Sequence, residues 1–84
     1  MEVELKVYID DNIESFDFNG STYYETKTFI VIMNEYYPIS VNLKPDKTFS
    51  VWGIYGVTFD DFNSTNTTCA AIVESGANCI ANIV

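Results

Sequence analysis

Residues 66–84 read NTTCAAIVESGANCIANIV, from Asn66 to Val84, and whether they form a helix or strands decides the fold class. From Ser64 onward the composition shifts to Ser, Thr, Asn, Ala and Cys, and aromatic residues disappear. With Asn66 as N-cap, Cys69, Ile72, Val73, Gly76, Ile80 and Ile83 recur at helical spacing, which predicts one amphipathic helix lying on a sheet. Gly76 costs about 1 kcal/mol in a helix interior. A second arrangement therefore stops the helix near Ser75 and makes Cys79 to Val84 a final strand.

Everything upstream reads as β-structure. Glu2 to Ile9 alternates polar and apolar residues, so Val3, Leu5, Val7 and Ile9 face inward and Glu2, Glu4, Lys6 and Tyr8 face out. Asn19-Gly20 is the strongest hairpin signal, because both residues tolerate the positive φ of a type I′ turn. That turn pairs Phe18 with Ser21 and Phe16 with Tyr23. A competing reading takes Asp11 as an N-cap and Glu14 as its capping-box partner, giving one or two helical turns closed at Asn19 and Gly20. Thr28 to Met33 is apolar on both faces, which predicts a central strand covered on each side. Ile39–Leu43 and Phe49–Trp52 alternate around Lys44-Pro45-Asp46-Lys47 and predict a hairpin with a three-residue loop, with Leu43, Val41, Phe49 and Val51 on one face. Gly53 and Gly56 predict a bulge or bend before Val57-Thr58-Phe59. The expectation is an α+β fold: a single domain, 1–84, with a twisted, mostly antiparallel sheet of four to six strands and one C-terminal helix packed on a face.

The chain carries twelve acids, four lysines, no Arg and no His, for a net charge of −8. Seven of the acids (Glu2, Glu4, Asp10, Asp11, Glu14, Asp17, Glu25) fall in residues 1–25 beside the single base Lys6. Phosphate contacts need basic side chains, so direct nucleic-acid binding is not expected. No run is long and apolar enough to span a membrane, and the N-terminus lacks the pattern of an export signal. With two cysteines, too few for a disulfide scaffold, this points to a cytoplasmic protein with free thiols. Sequons at Asn19, Asn63 and Asn66 carry weight only with a secretory route.

Specific chemistry finds little to rest on. Asp10, Asn12 and Glu14 match the first three ligand positions of a calcium loop, but Ser15 stands where the turn needs Gly and Ser21 where a bidentate Glu belongs. Cys69 and Cys79 without any histidine cannot complete a zinc set, and on a continuous helix they stand about 15 Å apart. Asp10-Asp11 and Asp60-Asp61 would point to opposite faces of a strand and form no dyad. There is no nucleophile elbow, P-loop or dinucleotide fingerprint. No enzyme, metal or cofactor is implied.

Binding remains. Carboxylates spread over a rigid sheet can imitate the phosphates of a nucleic acid and attract a basic groove built to receive one. In Tyr23-Tyr24 and Tyr36-Tyr37, one tyrosine of any pair on a strand must face out, where it makes good interface material. The partner-binding residues expected are thus Glu2, Glu4, Asp10, Asp11, Glu14, Asp17, Glu25, Tyr23, Tyr24, Tyr36 and Tyr37. The partner expected is a basic, nucleic-acid-binding enzyme or complex, with neither nucleic acid itself nor a membrane. In size, acidity and single-domain character the chain resembles small phage-encoded inhibitors of host nucleases, such as anti-CRISPR and anti-restriction proteins, and the immunity proteins of toxic nucleases. The likeness is one of class and carries no residue over. The alternative is an assembly module, such as a homodimer joined through Ile80–Val84 or a sheet edge, in which the acids serve only solubility.

Overall fold

The computed structural model describes residues 1–71 and 75–84. Among them there is no helix. Nine strands run β1 (Glu2–Tyr8), β2 (Ile13–Phe18), β3 (Ser21–Tyr23), β4 (Lys27–Ile32), β5 (Tyr36–Leu43), β6 (Phe49–Tyr55), β7 (Val57–Phe59), β8 (Asn66–Ala71) and β9 (Ala77–Ile83). They form two sheets, ordered β4-β1-β9-β6 and β3-β2-β5-β8-β7. We call these sheets A and B. All pairings are antiparallel except β1 with β9, which run parallel with Leu5 opposite Ala77 and Tyr8 opposite Ile80. The two sheets share one core, so the molecule is a β-sandwich.

The α+β expectation is therefore corrected to all-β. The predicted helix divides into β8, a turn at Ser75-Gly76, and β9. Ile72 and Val73, two of its supposed face residues, lie outside the described residues. Two features favour strands. Gly76 has φ +89°, a conformation that suits a turn and has no place in a right-handed helix. The segment is also rich in Thr, Ile and Val, whose branched side chains fit a pleated surface. The period that operates is two: Ala77, Cys79 and Ala81 are buried, while Ile80 belongs to the outer face. Small inward side chains hide this alternation, because a helical count weights the large ones. The final strand of the second arrangement, Cys79 to Val84, is present as most of β9.

Several upstream expectations hold. Val3, Leu5 and Val7 of β1 are buried. Asn19 (φ 50°) and Gly20 (φ 90°) form the hairpin turn, with Phe16 opposite Tyr23 and Phe18 opposite Ser21. The helical alternative for residues 11–20 is thereby excluded. Gly56, with φ 70°, is the corner at which the chain leaves β6 in sheet A and enters β7 in sheet B.

Two pairings differ. β5 and β6 do not form a hairpin: they belong to different sheets, and Lys44 to Thr48 crosses between them. A register shift between Phe49 and Val51 brings Trp52 inward, with Val51 left half-buried. Alternation says which face is buried, but the inner faces of two opposed sheets look the same in sequence. The other difference is β4, which lies at the edge of sheet A, paired only with β1, and leaves Ile30 62% and Ile32 48% exposed.

The core has two aromatic groups. Phe29 of sheet A inserts among Phe16, Phe18 and Tyr23 of sheet B, stacking on Phe18 with centroids 4.3 Å apart. Trp52 of sheet A meets Phe59 of sheet B edge-on at 5.1 Å, and its indole N–H donates to the Ser64 carbonyl at 2.8 Å.

Candidate interaction site: an acidic cleft at one end of the sandwich

The turn Asp10-Asp11-Asn12 carries the chain from β1 in sheet A to β2 in sheet B. It is held locally: the Asn12 N–H donates to Asp10 Oδ1 at 2.9 Å and the Ile13 N–H to the Asp10 carbonyl at 3.2 Å, an Asx turn of the kind aspartate favours. Two neighbouring segments are tied to it. The Ile9 N–H donates to Thr26 Oγ1 at 3.0 Å, and the Lys44 N–H to the Asn12 carbonyl at 3.4 Å. Between Ile13 and Ser15 the register of β2 on β5 slips, so Glu14 has no opposite residue and its side chain stays exposed.

These constraints surround an open cleft of about 520 Å³ lined by Asp10, Asp11, Glu14, Tyr24, Glu25 and Lys44, among others. All four carboxylates are on exposed residues, and Tyr24 is 72% exposed. Lys27 Nζ lies 3.2 Å from Glu25 Oε1. An exposed pair of this kind adds little stability and can exchange for another cation. The cleft is thus a predominantly anionic, well-tethered surface with one phenol beside it.

The remaining expected residues lie elsewhere. Glu2 and Glu4 point out from sheet A, opposite Ile32 and Ile30. Asp17 lies on the outer face of sheet B and accepts hydrogen bonds from the Thr22 hydroxyl, Ser40 Oγ at 3.1 Å and Asn42 Nδ2 at 3.3 Å. Chiefly the Thr22 bond, with Asn42 and Ser40 adding and burial opposing, holds its carboxyl below the usual 3.8. Tyr36 is exposed at the start of β5, the opposite end from Leu43, which faces Ile13 beside the acidic turn. Tyr23 stacks on Phe16 at 5.4 Å. Tyr37 stacks on Phe18 at 5.6 Å while its hydroxyl accepts the Ile32 N–H at 3.0 Å. Of the eleven residues the cleft gathers Asp10, Asp11, Glu14, Tyr24 and Glu25.

Sequence reasoning overlooked Lys44, which reaches the cleft because β5 pairs with β2, Leu43 opposite Ile13, so that the next residue lies beside Asn12. Asp60, weighed in the sequence only as half of a dyad, binds the Thr67 hydroxyl and accepts the Thr68 N–H at 2.7 Å, clamping the start of β8. These bonds, the Thr67 one foremost, lower the Asp60 carboxyl below its usual value.

Because β2 begins at Ile13, Asp10, Asn12 and Glu14 do not share one loop of calcium-binding length. No group of three or more His, Cys, Asp or Glu suited to a metal ion occurs among the described residues. Cys69 and Cys79 are free and buried. Burial pushes the Cys69 thiol up to about 11, and Cys79 higher still, so neither is an activated nucleophile. No helix among the described residues is long and apolar enough to cross a membrane. Comparison with protein-family models, with curated proteins and with solved structures gives no match.

Proposed function

We propose that this chain is a cytoplasmic, non-catalytic inhibitor that docks its acidic end on the basic, nucleic-acid-binding surface of a protein. The observation that carries the reading is the convergence of Asp10 and Asp11 from the β1–β2 turn, Glu14 from the start of β2 and Glu25 from the β3–β4 loop around one cleft beside exposed Tyr24. Backbone and Thr26 hydrogen bonds hold these loops, so little ordering is required on binding. An acid whose basic partner becomes desolvated contributes on the order of 1 kcal/mol or more, and one at an exposed rim contributes little. Tyr24 supplies a rigid amphipathic contact at the border. The inhibitor class that the chain resembles in size and charge works on such surfaces.

The test immobilises the chain, passes over it an extract of the native host, and then adds plain duplex DNA. The retained protein should bind nucleic acid, should be released by the duplex, and should be released between about 0.1 M and about 1 M ionic strength, where the Debye length falls from about 10 Å to about 3 Å. The variant Asp10→Lys, Asp11→Lys, Glu14→Lys, Glu25→Lys should retain none of it. A retained protein that duplex cannot displace, or that the quadruple variant holds equally well, would favour the assembly-module alternative.

A further inference from the structure

β4 has the composition of a strand covered on both sides, yet it is an edge. The other three edges offer less to a pairing strand among the described residues. β3 and β7 are three residues long. β6 is covered by the segment after β7: the Trp52 N–H donates to the Phe62 carbonyl at 2.9 Å, and its indole N–H to Ser64. β4 offers six residues with no proline and no irregularity in its register with β1. Its one charge, Lys27, is already paired with Glu25. Edge strands of this length normally carry a proline, a bulge or inward charges that block further pairing, and β4 carries none.

Its backbone shows which groups are open. The Met33 N–H bonds to the Met1 carbonyl, on the β1 side, whereas the Ile32 N–H points away and bonds to Tyr37 Oη. Even-numbered residues of β4 therefore direct their N–H and C=O outward. Ile32 N is capped, and Thr28 and Ile30 are left open among the described residues. We propose that a second copy of this chain adds to β4 in antiparallel fashion about a two-fold axis at Phe29, joining two four-stranded sheets into one of eight. This register sets Thr28 against Ile30 of the second copy and Ile30 against Thr28 of the second copy, and forms four N–H···O=C bonds. Centring the axis on Ile30 would require the N–H that Tyr37 occupies. Centring it on Thr28 would use Thr26, which lies outside β4.

The side chains on the outer face agree with this register. Lys6 stands opposite Thr28 and Glu4 opposite Ile30. Across the seam the row becomes Lys6, Thr28, Ile30 of the second copy, Glu4 of the second copy, and the two-fold repeats it in reverse. The two-fold sets each Ile30 against Thr28 of the other copy and shields both isoleucines, while Lys6 and Glu4 of the second copy, three strand spacings and about 14 Å apart, neither repel nor attract appreciably. Such self-complementarity is what a two-fold interface requires. Antiparallel pairing also sends the two acidic clefts, each beside the Lys27 end of β4, to opposite ends of the seam, where their repulsion is least. This proposal is independent of how the acidic cleft is used.

Sedimentation equilibrium from about 1 μM to about 100 μM, a range that reveals a micromolar Kd, should show the mass rising from 9.5 kDa to twice that. Thr28→Pro removes an outward N–H without touching a bond to β1, and Ile30→Lys puts a charge on the seam. Each should weaken association at least ten-fold with an unchanged circular-dichroism spectrum, and Ile30→Lys carries the test if the proline variant does not fold. A 9.5 kDa monomer throughout the range, or a dimer indifferent to Thr28→Pro and Ile30→Lys, overturns the proposal.

Discussion

Sheet B ends in two three-residue strands, whereas sheet A ends on one side in the six-residue strand β4. The outer face of sheet B is polar and internally bonded: Asp17 gathers Thr22, Ser40 and Asn42, and Asn42 also donates to buried Ser15 at 3.0 Å. Its inner face carries the bulky rings, and its edge strands are short. Sheet A presents small side chains inward from β9 and isoleucines outward from β4. The lesson is a division of labour within one core. Rings from both sheets supply the volume, the small residues of β9 supply the close approach, and the edge that sheet A leaves unmet is the one available for assembly.

This contrast can be broken most severely through one of the buried rings of sheet B. Phe18, 4% exposed and stacked between Phe29 and Tyr37, should cost about 3–5 kcal/mol when replaced by Ala; urea denaturation measures it. Sheet A should fail in the opposite sense. Ala81 is fully buried opposite Trp52, and Ala81→Leu should cost about 1–3 kcal/mol by overpacking.

The two cysteines sharpen the comparison, since each sheet contributes one. Cys69 Sγ donates to the Tyr37 carbonyl at 3.6 Å, so Cys69→Ser keeps an acceptor for its hydroxyl. Cys79 has no such partner among the described residues, and Cys79→Ser should cost about 1–3 kcal/mol, the larger of the two losses. An equal loss at both sites would mean that the polar partner on sheet B is not what distinguishes them.

Smaller again is Asp17→Asn. At neutral pH it should cost about 1 kcal/mol or less, because solvent screens the half-exposed carboxylate. Its pH dependence is more telling. The folded carboxyl titrates below the unfolded one, so its stabilisation is complete above about pH 4 and is lost as pH falls through the folded value. The variant should show a shallower loss of stability in that acid range than the parent. Smallest of all, neutralising the cleft by Asp10→Asn, Asp11→Asn, Glu14→Gln and Glu25→Gln should change stability by less than about 0.5 kcal/mol. A larger drop would make the cleft part of the scaffold.

What could be read in the sequence follows from the range of the signal. Asn19-Gly20 and the alternation of β1 are local, and both stand in the structure. Asp10, Asp11 and Glu14 are close in sequence and stay together, and the same hairpin register brings in Tyr24 and Glu25. Lys44 joins them through the pairing of β5 with β2, a long-range partnership that no local pattern encodes. The helix expectation failed because Ala77, Cys79 and Ala81 are too small to show a period of two against Ile80 and Ile83. The edge position of β4 could not be read, because an apolar strand looks the same whether its neighbour comes from its own chain or another.

The parallel pair at the centre of sheet A has a consequence for how the protein is made. β1 leaves the ribosome before the other eight strands described and β9 after them, yet Leu5 must lie beside Ala77. Until β9 emerges, β1 lacks the neighbour on one side and β6 has none in its own sheet. Translation adds about 5–20 residues per second, so a nascent chain spends seconds with unsatisfied strands, and its closing step joins distant segments, the slow kind of contact. The chain is therefore a natural client for holding chaperones during synthesis, and its yield should depend on their supply more than the stability of the finished sandwich would suggest.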